Sequence, residues 1–263
     1  MKKRLMAAVL STAMAATMLL TGSISVQAAD AAAANDPAVE LIFTSVSVSG
    51  DSHTEAMYEF ADKVEELSGG SVTCKCYDNG SLFSSENEFD ALLNRDADLA
   101  YISFPTIATQ IPSYSMFASG YLFSSYEHMT SVLNGDIGLN KIRPQIEETL
   151  NIKPLSSFYL GSRVINTREK EINSYDDMNG LLLRMPNSEA WLFLGEALGA
   201  NPTPLSFSEL YTALQTGAVD AQDNPLPSIE SAKFYEVTKY IAITNHVVDS
   251  IMPCINGDTW NSM

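Results

Sequence analysis

The sequence predicts an α/β fold with largely parallel strand pairing, because runs with two-residue apolar alternation take turns with runs of helical apolar spacing, and glycines stop the helical runs. Val39, Leu41 and Phe43 alternate in a first strand, Val39 to Val46. A helix from Ser52 to Leu67 carries Met57, Phe60, Ala61, Val64 and Leu67 on one stripe, and Gly69-Gly70 ends it. Ser71 to Tyr77 reads as the second strand, closed by the turn residues Asp78-Asn79-Gly80. A helix at Glu86 to Leu93 then leads to a strand at Leu99 to Ser103.

The second half repeats the alternation. Lys153 to Leu160 reads as a crossover strand into a second lobe, which Gly161-Ser162-Arg163 opens. A turn at Ser174 to Gly180 precedes a strand at Leu181 to Met185, and Asn187 or Ser188 caps a helix through Leu198 that Gly199 closes. In PTPLSFSELYTALQTGAVDAQDNP, Pro202 to Pro225, Ser206 and Glu209 have capping-box spacing. Phe207, Leu210, Tyr211 and Leu214 form its stripe, Gly217 its C-cap, and a strand follows at Ala218 to Gln222. After Lys233 to Tyr240 the chain is expected to return to the first lobe near Val247 to Ile255. Ala91-Leu92 precedes Asp98 at the same spacing as Ala213-Leu214 precedes Asp220, an echo consistent with two related lobes.

The N-terminus reads as a targeting segment. Lys2, Lys3 and Arg4 precede an apolar run from Leu5 to Leu20, and Val26-Gln27-Ala28 suits signal peptidase, so residues 1–28 are expected to be a cleaved signal sequence, followed by an alanine-rich leader, Ala29 to Asn35. The run is interrupted by Ser11, Thr12 and Thr17, which argues against a membrane span, and no cysteine follows it to carry a lipid. Without residues 1–28 the chain holds 12 basic and 32 acidic residues, a formal charge of −20. Such a field disfavours nucleic acid and anionic membrane as partners. It also makes each of the five remaining arginines, at 95, 143, 163, 168 and 184, a notable use of a scarce charge.

Cys74, Cys76 and Cys254 give no even disulfide framework. They read as buried free thiols, with a bridge from Cys254 to one of the others as the alternative in an oxidising compartment. His53, His128 and His246 have no metal-ligand spacing, and there is neither a G-x-S-x-G elbow nor a phosphate-cradling glycine loop, so no enzyme, metal or cofactor is expected. Arg184, in LLLRMP, stands at the end of a strand before Met185-Pro186, where the sheets of α/β folds open onto ligand crevices. Its planar guanidinium suits a carboxylate held bidentately.

The run Pro202 to Pro225, with LLLRMPNSEAWLFLGEALGANPTPLSF before it and KFYEVTKYIAITNHVVDSIMPCINGDTW after it, resembles the signature region of the substrate-binding subunits of TRAP transporters, the DctP-like family. The match is strong from Leu160 to about Trp260 and looser before that. The resemblance implies a two-lobe, periplasmic-binding-protein-like fold of type II, the Venus-flytrap architecture, with hinge crossovers. It divides this chain into lobe I, residues 36–158 with 249–263, and lobe II, residues 159–248. It further implies an extracytoplasmic or periplasmic monomer that captures a small organic acid and delivers it to ion-gradient-driven TRAP permease subunits. A ligand-presenting sensor is the alternative, as is a truncated relative without a competent cleft, since the sequence stops at Met263, short of the family's usual end. In this resemblance Arg184 makes the carboxylate bridge, Arg163 and Asn224 face the ligand, Phe207 walls the cleft, Trp191 lies on the helix that floors it, and His53 and Phe104 fall near first-lobe stretches that contribute to the ligand. The family's Gly-Gln-Glu-Asn-Pro stands here as Ala-Gln-Asp-Asn-Pro, a departure at Ala221 and Asp223.

Overall fold

A computed structural model of the chain describes residues 39–263; the expected signal sequence and leader lie outside the described residues. The N-terminal half opens with β1 (Val39–Thr44), α1 (Ser52–Ser68) and β2 (Val72–Tyr77). Asp51 caps α1 by accepting from His53 N, and Gly69 ends it with φ 64° in the left-handed region. Next come α2 (Glu88–Asn94), β3 (Leu99–Ile102), the short α3 (Phe104–Ile107), α4 (Tyr126–Leu133) and α5 (Arg143–Leu150).

The region expected to hold one crossover strand contains two, β4 (Ile152–Pro154) and the long β5 (Phe158–Thr167). Then follow β6 (Leu182–Met185), α6 (Glu189–Ala197), β7 (Asn201–Pro204), α7 (Phe207–Thr216), β8 (Ala221–Pro225), α8 (Leu226–Ser231), β9 (Tyr240–Ala242), β10 (Val248–Asn256) and α9 (Gly257–Ser262). The capping box expected at α7 is altered: Ser206 Oγ donates to the Glu209 carboxylate at 2.7 Å and makes no bond to the helix backbone. A reciprocal box stands instead at Ser174 and Asp177. No helix among the described residues is long and apolar enough to cross a membrane.

The strands are ordered β2-β1-β3-β10-β5-β8-β6-β7, with β4 also on β10 and β9 also on β5. Pairing is parallel between β1 and β2, β1 and β3, β6 and β7, and β6 and β8. Every pair made by β5 or β10 is antiparallel, so the sheet is mixed where mostly parallel pairing was expected. The reason is the route of the chain. β5 starts beside β10 and runs on to pair with β8 and β9, while β10 runs the other way, from β5 to β3 and β4. Each of these two strands therefore belongs to both halves, and they meet at Phe158–Ser162 and Val248–Ile251, with a bulge at Asp249/Ser250. At this junction Gly161 has φ 133°, and a Cβ there would lie 2.4 Å from Pro225 Cβ, so only glycine allows β5 and the end of β8 to approach this closely.

Apolar side chains form separate cores in the two halves. Phe89, Leu92, Ile102, Met129, Ile146 and Met252 pack in one cluster, and Leu41, Phe43, Met57 and Leu99 in another. Beyond the crossing strands, Leu183, Met185, Trp191 and Leu194 form a third cluster, and Val164, Leu210, Leu214 and Phe234 a fourth. All three cysteines are free, and Cys254 lies fully buried in the first cluster. The sequence echo has a structural counterpart. Asp98 N donates to Ile42 O and its Oδ2 accepts from Ile42 N, both at 2.9 Å; Asp220 N donates to Leu182 O at 2.9 Å and its Oδ2 accepts from Leu182 N at 3.0 Å. Each aspartate follows a helix ended by a left-handed residue, Arg95 or Gly217, and ties the next strand to its parallel neighbour.

Candidate functional site

A cleft of about 420 Å³ lies where the two halves meet. One wall comes from the loop after β1, the start of α2, the end of β3 and α3. The other comes from the ends of β6 and β8 with α6, α7 and α8, and Arg163 and Asp249 on the crossing strands form its floor. The structure brings Arg184, Arg163, Asn224, Phe207 and Trp191 together on this lining.

Arg184 occupies the strand end where the sequence puts it, with 2% of its surface exposed. Its Nε donates to Leu205 O at 2.8 Å, which fixes the plane of the guanidinium. Neither terminal nitrogen has a hydrogen-bond partner among the described residues, and no ion pair there includes Arg184. Burial lowers its pKa to about 10, and the like charge of Arg163 adds to the shift. It still carries its proton at neutral pH, and so presents an unpaired buried cation to the cleft.

Arg163 is in the opposite condition. Its Nε donates to Asp249 Oδ2 and its Nη1 to Asp223 Oδ1, each at 2.7 Å, while Nη1 also reaches Asp223 O at 2.8 Å. Its guanidinium carbon lies 4.2 Å from the centre of the Trp191 ring. Burial works against the charge, but Asp223 and Asp249 outweigh it and raise the pKa. Asp223 Oδ2 meets His246 Nε2 at 2.8 Å, and His246 Nδ1 meets Thr244 Oγ1 at 2.7 Å. Burial likewise pushes the Asp223 carboxyl up, and Arg163 with His246 more than reverses that, holding it below the usual range.

Asn224 is held by a relay of amides. Asn166 Nδ2 donates to the Tyr240 carbonyl, Gln222 Nε2 to Asn166 Oδ1, and Asn224 Nδ2 to Gln222 Oε1 at 2.6 Å. A backbone carbonyl can only accept, so the direction of the whole relay is fixed. Asn224 Oδ1 is left without a partner among the described residues.

His53 and Phe104 do not line the cleft. His53 is turned behind Asp51, its Nδ1 3.1 Å from Asp51 Oδ1, and it lines a separate hollow with Tyr126 and Tyr159. Phe104 stacks on Phe117 with ring centres 4.0 Å apart inside the first core. In both places the helix cap, Asp51 or Ser103, lines the cleft, and the side chain one or two residues further on is turned away from it. In their stead the first wall offers Asp51, Glu86, Glu88 and Asp90.

Glu88 is unusual among these. It is 4% exposed, and neither its Oε1 nor the buried Thr44 Oγ1 has a hydrogen-bond partner among the described residues. Burial raises its pKa well above the ordinary 4.5. Below that ordinary value the carboxyl is neutral in folded and unfolded chains alike and carries no penalty. As pH rises the unfolded chain ionises first, and stability is lost until the folded-state pKa is passed. Glu88→Gln is therefore expected to stabilise the protein relative to the native chain at pH 8 more than at pH 5, with a gap growing by at most about 1.4 kcal/mol per pH unit. Urea unfolding at the two pH values measures it; a gap that does not grow would mean that Glu88 is ionised in the fold.

Residues 43–263 match the family described as bacterial extracellular solute-binding protein, family 7, or DctP. The chain belongs to this family. Over 203 residues this DctP-family protein is 36% identical to the sialic acid-binding periplasmic protein SiaP of Vibrio cholerae, a match covering 77% of this chain and 63% of SiaP. It thus spans less than two thirds of that relative's length. Among solved structures it resembles a TRAP periplasmic solute-binding protein of Roseobacter denitrificans with bound 3-deoxy-D-manno-oct-2-ulosonic acid. The TM-score is 0.80 at 39% identity, over 86% of this chain and 74% of the other. A TRAP periplasmic solute-binding protein of Sulfurospirillum deleyianum with bound succinate matches with TM-score 0.81 at 26% identity, over 86% and 73% of the two chains. The DctP-family fold is thus the two-lobe, type II arrangement of periplasmic binding proteins, and the family is extracytoplasmic and not enzymatic.

Proposed function

We propose that this DctP-family protein captures a small organic acid outside the cytoplasm and delivers it to the permease subunits of an ion-gradient-driven TRAP transporter. The observation that carries the reading is Arg184, a buried guanidinium in the cleft with both terminal nitrogens unpartnered among the described residues. An unpaired buried cation is costly, and a carboxylate that bridges it recovers that cost as binding energy. The ligands bound in the two structural relatives each carry a carboxylate, which supports the same chemistry here.

In this reading residues 36–158 with 249–263 form lobe I, residues 159–248 form lobe II, and β5 and β10 bend as the lobes close. Arg184 holds the carboxylate and Asn224 Oδ1 accepts from a ligand hydroxyl. Phe207 and Trp191 wall the pocket, and Arg163 contributes through the one terminal nitrogen that its two aspartates leave over. Residues 1–28 are the cleaved signal sequence, and the mature chain acts as a monomer.

Thermal melting against a panel of small organic acids tests this. A bound acid at about 100 times its Kd stabilises by about 2.7 kcal/mol, a rise in Tm of roughly 5–10 °C for a chain of this size. A cooperative transition that no member of the panel moves would overturn the reading.

A further inference from the structure

The charges on the cleft lining are unevenly spread. Its cations are Arg163 and Arg184, and its acids are Asp51, Glu86, Glu88, Asp90 and Asp249. Asp249 is taken up by Arg163, and Asp51 accepts from His53 and from Ser231 Oγ. Glu86 and Asp90 have no ion-pair partner among the described residues. Glu86 lies in the turn that leads into α2 and Asp90 in the first turn of that helix, on the wall opposite β6, and Glu86 is near enough for its charge to act on Arg184 across the cleft. The same wall carries the hydroxyls of Ser103 and Thr106, which can pair with a ligand's own hydroxyls.

A carboxylate on Arg184 uses the cation of this lining that has no ion-pair partner among the described residues. Whatever extends from it meets hydroxyls and carboxylates. A second carboxylate would be set against like charge with no cation to receive it, whereas hydroxyl groups would find acceptors. We propose that Glu86 and Asp90 are specificity-determining residues that reject a second carboxylate, so that the ligand has a single carboxylate and a hydroxyl-bearing tail. This rests on Arg184 being the carboxylate site.

Calorimetric titration of the protein with galactonate, a polyhydroxylated monocarboxylate, and with succinate, a dicarboxylate, tests the assignment. Galactonate is expected to bind at least tenfold more tightly than succinate. The Glu86→Gln, Asp90→Asn double variant is expected to gain roughly tenfold in succinate affinity, and raising the salt concentration should shift the native protein in the same direction. Succinate binding as tightly as galactonate, or a double variant with unchanged succinate affinity, overturns the inference and leaves the carboxylate reading standing. If neither acid binds, or if the uncharged galactitol binds as well as galactonate, the carboxylate reading itself fails and the inference with it.

Discussion

Arg163→Met is expected to lower the unfolding free energy by about 3–5 kcal/mol, as breaking a buried ion pair from one side does. The substitution removes the guanidinium that bridges Asp223 and Asp249, both about 95% or more buried, and takes the charge from above the Trp191 ring. Asp223 would keep its hydrogen bond with His246 Nε2, and Asp249 the one from Ser250 N, but neither buried carboxylate would face a guanidinium. Adding Asp223→Asn and Asp249→Asn should recover part of the loss, because a buried network replaced as a whole by neutral groups costs much less than one half removed. The penalty should also depend on pH. The Asp223 carboxyl is depressed in the fold, so its stabilisation is present above the ordinary carboxylate range and disappears as pH falls through the lowered value. Urea unfolding at pH 7 and in acid reads both effects, and a variant as stable as the native chain at pH 7 would show that the network does not hold the crossing strands together.

Arg184→Lys is expected to weaken binding of the organic acid by about 1.5–3 kcal/mol, roughly 10- to 150-fold in Kd. Lysine has one nitrogen where arginine uses three. It cannot both donate to Leu205 O and offer a planar pair of donors to a carboxylate. The effect on stability should have the opposite sign to that of Arg163. Arg184→Met removes a buried charge that has no ion-pair partner among the described residues and is repelled by Arg163, so the unliganded variant should melt higher than the native protein while losing the ligand. Melting with and without the acid separates the two outcomes. Unchanged affinity in the lysine variant would rule out a bidentate clamp.

Much of this could be read in the sequence wherever the signal was local. Arg184 was legible because an apolar strand, a scarce arginine and Met185-Pro186 stand together, which specifies a strand end without reference to anything distant. The helix ends at Gly69, Gly199 and Gly217 were legible for the same reason, since a left-handed residue after an apolar stripe is a property of a few neighbouring positions. The pairing of Arg163 was hidden. Its partners are 60 and 86 residues away, and an acidic chain offers so many carboxylates that none is marked out. His53 and Phe104 failed because the sequence located their loops but could not say which side of a helix start faces the cleft. The antiparallel turn of the sheet was equally nonlocal, since nothing within β5 shows that it pairs first with β10 and then with β8. In the Ala-Leu echo the shared pair was weak evidence; the informative residue was the aspartate that followed, whose bonds to Ile42 and Leu182 are the same in both halves.

The crossing strands have a mechanical consequence. Among the described residues, two stretches of chain running in opposite directions join the two halves, and these are hydrogen-bonded to each other at Phe158–Ser162 and Val248–Ile251. A ribbon only two strands wide twists more readily than a broad sheet, yet its ladder resists slippage and splaying. It should act as a torsion bar. The mouth should open and shut by rotation about the ribbon's long axis, and the Arg163 network, bonded to Asp249 at the bulge, stands on that axis, where turning displaces it least.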